Sequence, residues 1–383
     1  MSLALIMFGA CVLAVAGAWG TILAAARLRL GFDDAQGVQK IHAHKVPRLG
    51  GIPIAIAAFA GLALQGVYQQ EAMAPVFMVC ALPILVVGLW EDITRRVDIW
   101  PRVLAAMASA FLSFWLLDAR FAAVGIPVLD EWLAIQHPAV LLAITLFAVS
   151  GVAHSTNLID GCNGLSSGVS IIVLVALGCI AYQVNDQWLF ESTWILAAAT
   201  LGFFVLNWPS GRLFLGDAGA YFLGFSIAVF SLMLVARNPE VSPWAPLLLM
   251  IYPVWETLFT IIRRVWALGI GHVGRPDTLH LHQIIYRRLV RRYGLRPQGA
   301  RAVMRNSMTS PYLWALSLLC ATPAAVFWAR TELLMALTLL FVGTYLALYR
   351  RIIQFKSPRW LVSNVTTSIP PRHAPRCSKT PST

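Results

Sequence analysis

Acidic residues are scarce in this sequence. Asp and Glu together number 17 in 383 residues, and charged residues of both signs make up 12%. A soluble globular surface carries about twice that charge, so that class is excluded. The six cysteines, at 11, 80, 162, 179, 320 and 377, show no CxxC or other metal-ligand spacing and read mostly as small apolar fillers. No glycine-rich Walker loop is present, which argues against an ATPase. No internal repeat of the transporter kind is evident. The first apolar run has no basic segment before it and is followed by Arg27 and Arg29, so it reads as a retained helix rather than a cleaved signal.

Apolar residues fill the space the charges leave, at 58% of the chain. Runs of membrane-crossing length recur at 2–26, 50–68, 74–90, 100–118, 137–154, 168–184, 193–207, 220–236, 243–262, 311–329 and 332–349. The expected fold is therefore all-α and polytopic, with eleven transmembrane helices. Of the 29 Lys and Arg, all but Arg120, Arg237 and Arg330 fall in one alternating set of connections. That bias predicts an N-out, C-in topology with the basic set on the cytoplasmic face. Residues 1–356 are expected to form one transmembrane catalytic domain with a large basic loop at 263–310. The Pro-, Ser- and Thr-rich stretch 357–383 is expected to be a disordered tail. The net charge of +12 reads as attraction to anionic lipid, not as nucleic-acid binding.

Against this background each acid near a helix end stands out, because an ionisable group there needs a partner or a task. Glu91 and Asp92 are adjacent at the end of an apolar run. They could pair with Arg95 and Arg96 one turn on, or form a cation-binding or acid/base pair. Asn157 and Asp160 share a face if that stretch is helical, and Asn163 extends the stripe if the turn persists past Gly161. Asp217 lies between Gly216 and Gly219, which suits a metal-bound phosphate or a helix cap. Glu256 is expected to pair with Arg263 or Arg264, in a segment that Pro243, Pro246 and Pro253 should kink. His280 and His282 share a face in extended backbone, but no third ligand follows at zinc spacing. Residues from Ile284 to Tyr293 read as a basic amphipathic surface helix. Lys40, His42, His44, Lys45 and Arg48 make a cationic loop before Gly50-Gly51, suited to anchoring or to phosphate.

All these clusters fall in the same set of loops as the arginines. Three carboxylate-bearing loops suit an oxygen-liking cation such as Mg²⁺, and a basic rim suits a diphosphate. The pattern points to transfer between a soluble nucleotide and a membrane lipid.

Five motifs, in order, carry a resemblance: Lys-x-His with Pro-x-x-Gly-Gly (40–51), the acidic pair 91–92, Asn-x-x-Asp-Gly-x-x-Gly-Leu (157–165), Phe-x-Gly-Asp-x-Gly (214–219) and Asp-x-x-His-x-His (277–282). Over about residues 40–349 the chain resembles the polyprenyl-phosphate N-acetylhexosamine-1-phosphate transferases, the glycosyltransferase family 4 group that includes the phospho-N-acetylmuramoyl-pentapeptide transferases. The resemblance implies transfer of N-acetylhexosamine-1-phosphate from a UDP-sugar to undecaprenyl phosphate, with release of UMP, in the inner (cytoplasmic) membrane. It implies Mg²⁺, with Mn²⁺ as the alternative, held chiefly by Asp217. Glu91 and Asp92 would deprotonate the lipid phosphate or hold metal, and Asn157 and Asp160 would flank the diphosphate. Gly161, Cys162 and Asn163 would wall the uracil, Lys40, His280 and His282 would contact the nucleotide sugar or the diphosphate, and His42 would bind substrate. The lipid bilayer, both substrates and a second copy of the chain are the expected partners. The chain departs from the family at Glu91, Asn163 and Gln283, where Asp, Asp and His are common. An inactive member is therefore one alternative, and a transporter using the same carboxylates is another.

Overall fold

The computed structural model describes residues 2–28, 30–33, 46–268, 279–291, 300–354 and 363–364. Lys40, His42, His44, Lys45, Arg275 and Asp277 lie outside the described residues, as does nearly all of the predicted tail.

The apolar runs fold as helices. In order they are α1 (Leu3–Leu28), α2 (Gly51–Gln69), α3 (Met73–Thr94), α4 (Ile99–Leu116), α5 (Pro127–Ala134), α6 (Pro138–Leu158), α7 (Leu165–Gln183), α8 (Gln187–Asn207), α9 (Gly216–Arg237), α10 (Trp244–Leu249), α11 (Ile251–Leu268), α12 (Leu281–Arg288), α13 (Ala300–Ser307), α14 (Ser310–Val326) and α15 (Thr331–Ile353). Two two-residue ladders are the only extended pairing among the described residues. The chain is an all-α, multi-pass membrane fold. Among the described residues, nine helices are long and apolar enough to cross a membrane: α1–α4, α6–α9 and α15. The other two expected spans are present as helices of a different kind. Residues 311–329 give the 17-residue α14. Residues 243–262 break at Met250 into α10 and α11. Pro253 has no N–H to donate back across that junction, so one helix stops and the next starts with the proline in its first turn.

Local chemistry sets the other boundaries. Pro127 and Pro138 begin α5 and α6. The Asp186 carboxylate accepts from the Leu189 N–H and caps α8. Pro83 interrupts the ladder inside α3, and the freed Ile84 N–H donates to the Ser109 hydroxyl of α4 at 3.2 Å. The position beside the proline thus becomes a contact between neighbouring helices.

Helix α9 is the axis of the bundle. It is apolar all round and buried along most of its length, as a helix with no polar face must be. Lipid is as apolar as a core, so packing of small residues rather than water exclusion holds such helices together. Gly88 of α3 lies so close to α9 that a Cβ there would stand 2.6 Å from the Ala218 Cα. Gly224 sits equally close to Ala153 of α6. Farther along α9, Phe225 and Phe230 both stack on Phe77 of α3. Large side chains such as Phe8, Val67, Phe147 and Leu339 are exposed on the outer surfaces of the long helices, where lipid would meet them.

Candidate active site

The first turn of α9 is built from backbone contacts. Gly216 has φ +75°, a conformation that disfavours any side chain, and a Cβ there would strike the Arg48 carbonyl and the Asp92 carboxylate. Gly50 and Phe214 are joined by N–H to carbonyl bonds: Gly50 donates to Phe214 at 2.9 Å, and Phe214 donates to Pro47 at 2.8 Å. These bonds fix Arg48 beside the helix start. Gly51 then begins α2 directly against Gly219. The glycines of both motifs therefore permit the close approach of three helices.

Asp92 is fully buried and accepts the N–H groups of Asp217 at 2.8 Å and Ala218 at 2.9 Å. It caps α9 from the neighbouring helix. Glu91 points elsewhere and accepts the Val97 N–H at 2.9 Å, closing the turn after α3. Arg95 leaves the helix with φ +54° and donates to the Phe32 carbonyl. The two acids of the pair thus have separate structural tasks.

With α9 fixed, Asp217 projects into a cationic cradle. Its Oδ1 accepts from Arg48 Nη2 at 3.0 Å and Asn157 Nδ2 at 3.1 Å, and its Oδ2 accepts from Arg102 Nη1 at 3.0 Å. Asp160 follows Asn157 within the same turn, since its N–H bonds the Asn157 carbonyl at 3.1 Å. Burial pushes the Asp160 carboxyl up to about 7; Arg48 opposes that rise and Asp217 adds to it. One turn before Asn157, the His154 ring packs edge-on against Tyr221, 4.9 Å between centroids.

The expected polar stripe stops at Asp160. Asn163 is turned into the protein, where its N–H donates to Asn306 Oδ1 at 2.7 Å, its Nδ2 to Ser307 Oγ at 3.1 Å, and its carbonyl accepts from Ser310 at 2.6 Å. The turn does not persist past Gly161, because Gly164 has φ +71° and starts α7 in a new direction. Cys162 is buried, and that burial pushes its thiol up to about 12, so it is inert at neutral pH.

His280 and His282 come from the start of α12 and not from an extended strand. Their rings are parallel, 5.6 Å between centroids. The His282 ring lies directly on Gly161, where any Cβ would collide with it. Burial, with His280 adding, pulls His282 down to about 3, so this imidazole is neutral. Glu256 does not depend on Arg263 or Arg264 as expected. It is buried and bonds His280, the Leu281 N–H and the Tyr345 hydroxyl. Around this loop, Asn163 Oδ1, Asn306 Nδ2, His282 Nδ1 and Gln283 Oε1 are buried polar atoms with no hydrogen-bond partner among the described residues. Such atoms need a partner such as water, an ion or a ligand, and others are spread through the described helices.

Beside the site lies an apolar cavity of about 420 Å³ between α6, α9, α10 and α11. His154 and Ser155 line one end, and Phe121, Val235 and Pro243 line the other.

The described site therefore gathers Asp92, Asn157, Asp160, Gly161, Asp217 and His282, with His280 behind His282. Arg102, His154, Tyr221 and Asn306 were not singled out in the sequence. The stripe His154-Asn157-Asp160, at intervals of three, was the signal for His154. Arg102 gave none beyond its charge.

Residues 74–235, which carry the acidic pair, the Asn157 loop and Asp217, match Glycosyl transferase family 4. Over that stretch the chain is similar to this family. Among its relatives, a protein of Bacillus subtilis described as a probable undecaprenyl-phosphate N-acetylglucosaminyl 1-phosphate transferase is 29% identical, over 67% of this chain and 70% of the relative. The undecaprenyl-phosphate alpha-N-acetylglucosaminyl 1-phosphate transferase of Yersinia pestis is 26% identical, over 68% and 71%. A phospho-N-acetylmuramoyl-pentapeptide-transferase of Lactobacillus gasseri is 37% identical over a shorter stretch, 36% of this chain and 41% of the relative. In this chain Asp92, the Asn157 loop and the start of α9 form one connected site.

Proposed function

We propose that this chain transfers N-acetylhexosamine-1-phosphate from a UDP-sugar, by default UDP-N-acetylglucosamine, to undecaprenyl phosphate and releases UMP. The observation that carries the proposal is Asp217 set among Arg48, Arg102 and Asn157, with an apolar cavity that reaches His154, one turn before Asn157. Two guanidiniums converging on one point match the charge of a diphosphate. The cavity suits the isoprenoid chain of the acceptor, whose phosphate would stop near His154. The unpartnered atoms around Asn163 and His282 suit the nucleotide.

Asp217 and Asp160 offer carboxylate oxygens beside Asn157, while both Asp92 oxygens receive backbone amides. Two carboxylates completed by substrate phosphates fit Mg²⁺, which rarely takes an all-protein cage. Bound there, Mg²⁺ would neutralise charge on the diphosphate and its leaving group. In this reading Arg48 and Arg102 bind and orient the diphosphate. Asp160 is placed to hold or take a proton near the acceptor phosphate. Asp92 sets Asp217 by fixing the helix that carries it. The reaction centre faces the cytoplasm in the inner membrane, where the basic loops lie.

Incubating the purified protein with undecaprenyl phosphate and a panel of UDP-sugars, and measuring UMP with the lipid product, tests the reading. Sugar-dependent UMP release is the expected result. Movement of a UDP-sugar across vesicles without UMP would replace the transferase by a transporter.

A further inference from the structure

Glu256 is a fully buried carboxylate far in sequence from every motif above. Three groups converge on it. Its Oε1 accepts the Leu281 N–H at 3.1 Å and lies 3.2 Å from His280 Nδ1, and its Oε2 accepts the Tyr345 hydroxyl at 2.7 Å. Leu281 is the first residue of α12, so Glu256 satisfies one of the amides that a helix start leaves open. His280 Nδ1 also lies 3.3 Å from the Thr260 hydroxyl, one turn along α11 from Glu256. Tyr345 brings in α15, and the Tyr349 hydroxyl of the same helix donates to the Leu279 carbonyl at 2.9 Å. The start of α12 is thus tied to α11 and α15 by buried polar bonds on each side.

What that tether holds in place is His282. Its ring covers Gly161, next to Asp160, and lies parallel to the His280 ring that Glu256 bonds. A carboxylate at His280 Nδ1 favours the tautomer with its proton on that nitrogen. The arrangement repeats that of Asp92, which fixes α9 by receiving its first amides.

We propose that Glu256 is a positioning residue of the transfer site: it clamps the start of α12 to α11 and α15, and so seats His282 on the Asp160-Gly161 peptide. The catalytic part of this claim rests on the transferase reading; the clamp does not. Glu256 touches no substrate in this scheme.

Cys162 supplies a readout independent of turnover, because its inert, buried thiol directly follows Gly161. The test measures maleimide labelling of Cys162 by peptide mass spectrometry in wild type, E256Q and E256A, alongside UMP release and thermal stability in detergent. Gln keeps an acceptor for Leu281 but loses the charge, whereas Ala loses both. Loss of such buried bonds should raise Cys162 labelling by about tenfold in E256A and less in E256Q, with UMP release falling in the same order. If E256A does not fold, E256Q alone carries the comparison. Labelling unchanged in a folded variant overturns the clamp, whether or not turnover falls. Raised labelling with turnover unchanged overturns the positioning role. Raised labelling in a protein whose wild type releases no UMP from any UDP-sugar supports the clamp and removes the reaction reading instead.

Discussion

Asp217 and Asp160 are both carboxylates at one mouth, and their surroundings give them different tasks. Asp217 receives two guanidiniums and a carboxamide. Replacing it by Asn takes from Arg48 and Arg102 the carboxylate charge they share, and from the proposed Mg²⁺ site one of its carboxylates. D217N should lower UMP release by about a hundredfold or more, with folding retained as judged by thermal stability. Asp160, with its carboxyl raised to about 7, is neutral below that pH and charged above it. If its charged form serves the reaction, turnover climbs as pH rises through about 7, and D160N abolishes that limb. Stability should move the other way. A carboxyl raised above its unfolded value, about 4, favours the folded state while protonated. Without divalent cation, Tm should therefore fall as pH climbs from about 4 towards 7, and D160N should flatten the slope.

The elements were more legible in the sequence than their contacts. Long apolar runs and the prolines marked nearly every helix, because length and composition alone decide what can cross a bilayer. Asp217 at a helix start between glycines was also legible. The partner of Asp92 was not, since nothing local distinguishes a carboxylate awaiting a cation from one capping a helix 125 residues away. The same holds for Glu256 and α12. The turn at Gly164 was hidden because a positive φ leaves no mark beyond the glycine itself. Gly216 combines positive φ with backbone and carboxylate contact, so G216A should cost about 2 kcal/mol or more. A thermal scan in detergent would show the shift, and UMP release would fall with it because Arg48 and Asp92 both move. G151A is the control: nothing lies within 4 Å of a Cβ there.

For the whole molecule, the broken α10–α11 segment leaves room for the apolar cavity beside α6 and α9. Gly151 lines that cavity and faces open space, so a large side chain fits the fold yet fills the groove. G151W should raise KM for undecaprenyl phosphate by about tenfold, spare KM for the UDP-sugar, and matter less for a short-chain acceptor. An equal effect on both substrates would place the lipid chain elsewhere. The Asp92 cap also has a consequence in time. During synthesis α3 is complete well before α9 exists, and at about 5–20 residues per second the 125 residues between Asp92 and Asp217 take roughly 6–25 s to make. Throughout that interval the newborn membrane segment carries an acid without its amides and a bare Gly88 face. Nascent chains stopped before α9 should therefore be cleared by quality control, and those that include its first turns should survive.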